Sequence, residues 1–298
     1  MVHGEVWTAK ELFVLPNEYI YWSIQIVMYP FMTGLVAGAF VLSSLYHVFG
    51  VKQLREIARF ALVFSFALLP VATMPLLLHL MQPQRALNVM LTPHFTSAIA
   101  AFGIVFMTYG AIVASELWFV YRRHFVVTVH SLREKRERSA GETLRLRLYT
   151  LLTLGAWDIG EAALAKDEKA VKVLAGAGIP VACFLHGYAG FIFGSVKANA
   201  LWMTPLMPVI FIMSAVVSGI ALCIVVYVVT MQLRERLAAR RQSRPGTLTP
   251  AELKRVEVDE VRIATRYLLV FLVFALVLEL LDVIFRGYTA VKSWDIVR

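Results

Sequence analysis

Apolar residues in this chain neither alternate nor recur every third or fourth position. They run on in long blocks separated by polar stretches. Six blocks stand out: Tyr19 to Phe49, Ile57 to Met81, Phe95 to Tyr121, Val171 to Val196, Met203 to Gln232 and Ala264 to Phe285. A helix needs about 20 apolar residues to cross the hydrocarbon of a bilayer. Within lipid only a helix or a closed barrel satisfies its own backbone. The pattern predicts an all-α, polytopic membrane protein with six transmembrane helices built around a four-helix bundle. We take residues 1–298 as a single transmembrane domain.

The polar stretches differ in charge. Lys52, Arg55 and Arg59 follow the first block. Arg122, Arg123, Arg133, Lys135, Arg136, Arg138, Arg145 and Arg147 follow the third, and Arg234, Arg236, Arg240, Arg241, Arg244, Lys254 and Arg255 the fifth. The intervening loops carry few cations. The positive-inside rule then puts the basic loops in the cytoplasm and both termini on the outer, periplasmic side of the cytoplasmic (inner) membrane. The opening "MVHGEVWTAKELFVLPNEY" is mixed and polar, so the first apolar run is expected to act as its own anchor.

Two cytoplasmic loops are expected, 122–169 and 233–263. In the first, "LYTLLTLGAWDIGEAALA" is apolar but interrupted by Asp158 and Glu161, which predicts a helix lying at the interface. In the second, Thr249, Pro250 and Glu252 read as N-cap, first-turn proline and capping box of a helix leading into the sixth span.

Composition agrees: 59% of residues are hydrophobic and 16% charged, against about 25% charged in an ordinary soluble domain. The net charge of +9 is confined to the loops, which fits orientation in a bilayer and not a nucleic-acid partner. Cys183 and Cys223 are too few for an iron–sulfur cluster and read as small apolar residues. Gly34/Gly38 and Gly190/Gly194 are four apart, a spacing that lets helices approach closely in lipid. Pro70 and Pro75 break the second span, beside a ligand pocket or simply to shape the bundle.

Ionisable groups within spans are costly, so they direct attention to function. Most gather at the outer side: Asn17 and Tyr21, His79 and Arg85, His94, Lys197 and Asn199, then Glu279, Asp282 and Arg286. Trp202 and Arg286 suit headgroup anchoring, and Asp282 with Arg286 suits a local ion pair. His186 lies roughly 16 Å deeper than Lys197. Helical phase puts His186, Gly190 and Phe193 on one face and Tyr188 nearly opposite. Glu116, near the cytoplasmic end of the third span, is expected to pair with basic loop residues, with a proton relay as the alternative.

Four stretches carry a resemblance. "GLVAGAFVLSSL", "LLLHLMQPQRALNVMLTPHFTSAI", "LYTLLTLGAWDIG" and "GIPVACFLHGYAGFIFGSVKANALWMTPLMPVIFIMSAVVSGIAL" are similar to stretches of the NrfD/polysulfide-reductase (PsrC-like) integral membrane subunits. The resemblance implies a subunit that exchanges electrons between membrane quinone, menaquinone or ubiquinone, and an outer-face, ferredoxin-like iron–sulfur partner. That partner would connect to a molybdopterin enzyme, a hydrogenase or a multihaem cytochrome. It implies no metal or haem in this chain. It also implies an outer quinone site, onto which Asn17 and Tyr188 map, with Tyr21, His79, Arg85 and His94 completing the set. His79 stands where the family motif has aspartate, and Met81-Gln82 where it has Gly-Arg. The polysulfide-reductase subunit has eight spans to the six here.

A quinone site needs donors to two carbonyl oxygens and a proton route, for which His186, Glu116, Glu279 and Asp282 are the relay candidates. Two other readings stay open. A b-type haem anchor needs paired histidines at matched depth. A transporter would favour helices broken at the midplane and an inverted repeat.

Overall fold

The computed structural model describes residues 24–79, 83–93, 100–135, 137–195, 202–242 and 258–289. Among them every regular element is helical. The helices are α1 (Ile24–His47), α2 (Arg55–Ala72), α3 (Met74–His79), α4 (Asn88–Leu91), α5 (Ala100–Glu134), α6 (Ala140–Leu152), α7 (Glu161–Gly194), α8 (Met207–Gln242) and α9 (Val258–Thr289). Six segments are long and apolar enough to span a membrane: α1, α2 with α3, α5, α7, α8 and α9. The expected count holds.

Two cores flank the α1–α2 pair. On one side α1, α2, α5 and α7 form the expected four-helix bundle, packed through Val36, Phe40, Leu62, Leu69, Tyr109 and Leu185. On the other, α1 and α2 meet α8 and α9 through Leu42, Ile57, Ala61, Ile220, Tyr227 and Ala264. α1 is therefore the central helix.

Its small residues explain that position. A Cβ built on Gly38 would stand against the Ala215 carbonyl and 2.8 Å from the Cα of Gly219. α1 and α8 cross there backbone to backbone. In the second glycine pair, a Cβ on Gly190 would stand 2.7 Å from the Cα of Pro208, and one on Gly194 3.0 Å from the Thr204 carbonyl. Both pairs act in helix packing, as read, and Gly219 is the partner that the GxxxG search passed over.

The second span breaks between its two prolines. Pro75 has no N–H to give, which leaves the Val71 carbonyl without its usual helical donor. The Thr73 N–H takes that carbonyl, and the Thr73 hydroxyl donates to the Pro70 carbonyl at 2.8 Å. The chain turns at Thr73 and restarts as α3, which packs on α1.

The loops are narrower than the hydropathy pattern implied. α5 continues to Glu134, α7 begins at Glu161, and α8 extends to Gln242. Much of 122–169 and 233–263 is thus helix beyond the apolar core, because Arg, Leu, Glu and Lys are good helix formers in water as well. The interfacial helix is also displaced. α6 starts at Ala140, capped by Ser139, whose side chain accepts from the Glu142 N–H in a full capping box, and it ends at Leu152. Thr153 to Gly160 form the turn into α7, with Gly155 at φ +78°. α6 runs back along α5: Tyr149 packs on His124 and Phe125, and the Trp118 indole donates to the Leu152 carbonyl at 2.8 Å. It is the second arm of a helical hairpin with α5. Thr249, Pro250 and Glu252 lie outside the described residues.

Candidate functional site

Of the six residues assigned to the outer site, three can be placed: His79, Arg85 and Tyr188. Asn17, Tyr21 and His94 lie outside the described residues, as do Lys197 and Asn199.

His79 closes the short α3, half-buried, at the end of the broken span. Tyr188 is half-buried on α7, its ring 5.7 Å from Phe184 and 6.0 Å from Phe191. Both α3, through Leu76, and Tyr188 pack against the bundle core of Tyr29, Phe102 and Leu185. His79 and Tyr188 each lie in the half of their span away from the basic loops. Arg85 is exposed in the turn Pro83–Arg85. Sequence reasoning missed Tyr29, buried at the start of α1 with its ring 5.4 Å edge-on to Phe102. The available signal was an aromatic hydroxyl in the same span as Tyr21.

His186 faces the other way, as phase required. Its imidazole lies against Gly34 of α1, where a Cβ would come within 2.9 Å, and 5.6 Å from the Phe211 ring. It is 5% exposed, and its Nδ1 has no hydrogen-bond partner. A small cavity beside it is lined by Ala37, Val41, Ala182, Cys183 and Ala215. Cys223 is buried in the second core and Cys183 edges this cavity.

The four relay candidates are not brought together. Glu116 is fully buried midway along α5, near the basic-loop end of its apolar run, and His186 lies in the middle of the α1–α7–α8 seam. Glu279 is exposed on α9, and Asp282 is bound by the Arg286 guanidinium at 2.6 Å. That ion pair was expected, but Arg286 is only 5% exposed, so it is not a headgroup anchor. Glu116 does not pair with a loop cation either. Its Oε1 stands 3.1 Å from Nδ1 of His47, at the end of α1. The nearby loop-side Arg122 is held by Asp167 at 2.6 Å and by the Ala156 and Asp158 carbonyls. Buried guanidinium needs such a full set of acceptors, so Arg122 has none to spare. Among the described residues no group of three or more His, Cys, Asp or Glu side chains is placed to hold a metal ion.

Six spans, two helical cores and polar groups at helix breaks define a multi-pass integral membrane protein. The chain belongs to the NrfD polysulphide reductase family, whose model matches residues 15–291. It is 32% identical to the C subunit of selenate reductase from Mesobacillus selenatarsenatis, over 71% of this chain and 49% of that one. It is 29% identical to a protein of Halobacterium salinarum provisionally named as the membrane C subunit of a dimethyl sulfoxide reductase, over 76% and 46%. It is 23% identical to an Hdr-like menaquinol oxidoreductase integral membrane subunit of Archaeoglobus fulgidus, over 72% and 44%. The chain spans about half the length of these relatives.

Proposed function

We propose that this chain is the quinone-reactive membrane subunit of a respiratory oxidoreductase complex in the cytoplasmic membrane. It exchanges electrons between the quinone pool and an iron–sulfur partner on the face opposite the basic loops. That partner in turn serves a molybdopterin, hydrogenase or multihaem catalytic subunit. Relatives named as subunits of reductases and of a menaquinol oxidoreductase support the class.

The observation that carries the quinone reading is Tyr188. It offers a hydroxyl on a half-buried ring, flanked by Phe184 and Phe191, on the same core against which α3 packs. A quinone head group asks for this combination: apolar rings to pack on its faces and donors to its carbonyl oxygens. Tyr188 and His79 supply the donors, and Asn17, Tyr21, Arg85 and His94 are assigned to the same site from the sequence. Reduction of one quinone takes two electrons from the partner and two protons, and an imidazole can carry a proton in that step. His186, with its unpartnered Nδ1, is the next station inward.

Tyr188→Phe and His79→Ala, each in the intact complex, test this reading. Quinone-linked turnover should fall by about a hundredfold, the scale of a lost acid–base group, while the partner's reaction with an artificial electron donor persists. Unchanged quinone-linked turnover in both variants would sink the assignment.

A further inference from the structure

The quinone site leaves unused the most deeply buried acid among the described residues. Glu116 has no exposed surface, and neither of its carboxyl oxygens completes a hydrogen bond. A bare carboxylate is not stable in that setting. It must be neutralised by a cation, or it must carry its own proton.

Among the described residues, the elements around it supply no fixed cation. On α2, Arg59 donates to the Val120 carbonyl and lies over the Tyr121 ring. On its own helix, Arg122 is bound to Asp167 of α7. Two turns outward, the Tyr109 hydroxyl is engaged with Ser65 of α2 at 3.2 Å. What does face Glu116 is His47 of α1, a group that can be charged or neutral. Its Nδ1 lies 3.1 Å from Glu116 Oε1 and also 3.1 Å from Ser43 Oγ.

One imidazole nitrogen thus stands between a hydroxyl and a carboxyl group, and it has two consistent states. With the proton on Glu116, the carboxylic acid donates to Nδ1 and both groups are neutral. With the proton on His47, Nδ1–H donates to the carboxylate and the two form an ion pair. Moving one proton across this contact interconverts them.

The exits are unequal. His47 is the last residue of α1, adjoining the basic-loop end of the bundle. Toward the quinone side, Val113 follows on the same face of α5, and the Phe40 ring packs 5.6 Å from Tyr109; both are fully buried and apolar.

We propose that Glu116 and His47, whose imidazole is 5% exposed at the basic-loop end of the bundle, form a proton-exchange site on that side of the membrane. Glu116–COOH gives its proton to His47, His47–H⁺ gives it to water, and the reverse steps reload the acid. Its purpose rests on the quinone reading, since quinone reduction consumes two protons and quinol oxidation releases two.

Infrared difference spectroscopy on the intact complex tests the site without using turnover. A protonated-carboxyl band should come and go with pH, vanish in Glu116→Gln and shift in His47→Gln. Glu116→Asp should restore a titrating band, which separates loss of the acid from misfolding. A carboxyl group that stays ionised at every pH, with no band lost in Glu116→Gln, overturns the proposal. Quinone-linked turnover in Glu116→Gln should slow by about a hundredfold with quinone binding retained; unchanged turnover also overturns it. Loss of the quinone reading shows up separately, as a wild-type complex that titrates at Glu116 but binds no quinone, and that result removes the purpose assigned to the site.

Discussion

α1 and α9 are both apolar spans, and they occupy opposite places. Fourteen of the 24 residues of α1 are buried inside the protein, and on α9 only Glu260, Ala264, Ala275 and Arg286. Yet α9 is the more apolar of the two. Hydropathy therefore decides which segments enter the membrane, not which of them are buried. In lipid there is no hydrophobic drive between helices, and contact depends on how closely backbones can come. α1 carries Gly34, Ala37, Gly38, Ala39, Ser43 and Ser44 along its length, while α9 presents Leu269, Val273, Phe274, Leu276 and Leu280 outward.

That contrast can be broken most severely at the α1–α8 crossing. Gly38→Leu would drive a branched side chain into the α8 backbone, which cannot rotate away as a side chain would. We expect a cost at or above the upper end of the usual ~1–3 kcal/mol for overpacking, seen as loss of monodisperse protein on gel filtration. Gly219→Ala adds a single methyl, 2.6 Å from the Cα of Gly38. It should cost about 1–3 kcal/mol and lower the thermal unfolding midpoint with the protein still folded. Tyr109→Phe removes the hydroxyl that meets Ser65, in turn bonded to the Val36 carbonyl of α1 at 3.1 Å. A loss of about 1 kcal/mol in denaturant titration is expected. Leu276→Ala on the lipid-facing side of α9 should stay within ~0.5 kcal/mol. A large destabilisation there would mean that α9 is packed against something in the membrane.

The spans were legible in the sequence because twenty-odd apolar residues in a row have few other uses. Their ends were not, since α5 and α8 continue as helix through Arg- and Leu-rich sequence that hydropathy scores as loop. The start of α6 carried a usable sign, Ser139 three residues before Glu142. The apolar run further on drew the assignment past it. At the site, helical phase correctly separated Tyr188 from His186, because phase is local to one helix. The Glu116–His47 contact joins helices far apart in sequence, and no spacing rule points to it. Tyr29 was passed over for the same reason: its importance lies in what packs on it from α5.

The central claim is that quinone is handled at the end of the bundle away from the basic loops, at His79 and Tyr188. Photolabelling of the intact complex with an azidoquinone, followed by peptide mapping, tests it directly. We expect label on peptides containing His79 and Tyr188, competed by unlabelled quinone and reduced in Tyr188→Phe. Competable label confined to the basic-loop end, or none on this chain, would contradict the account.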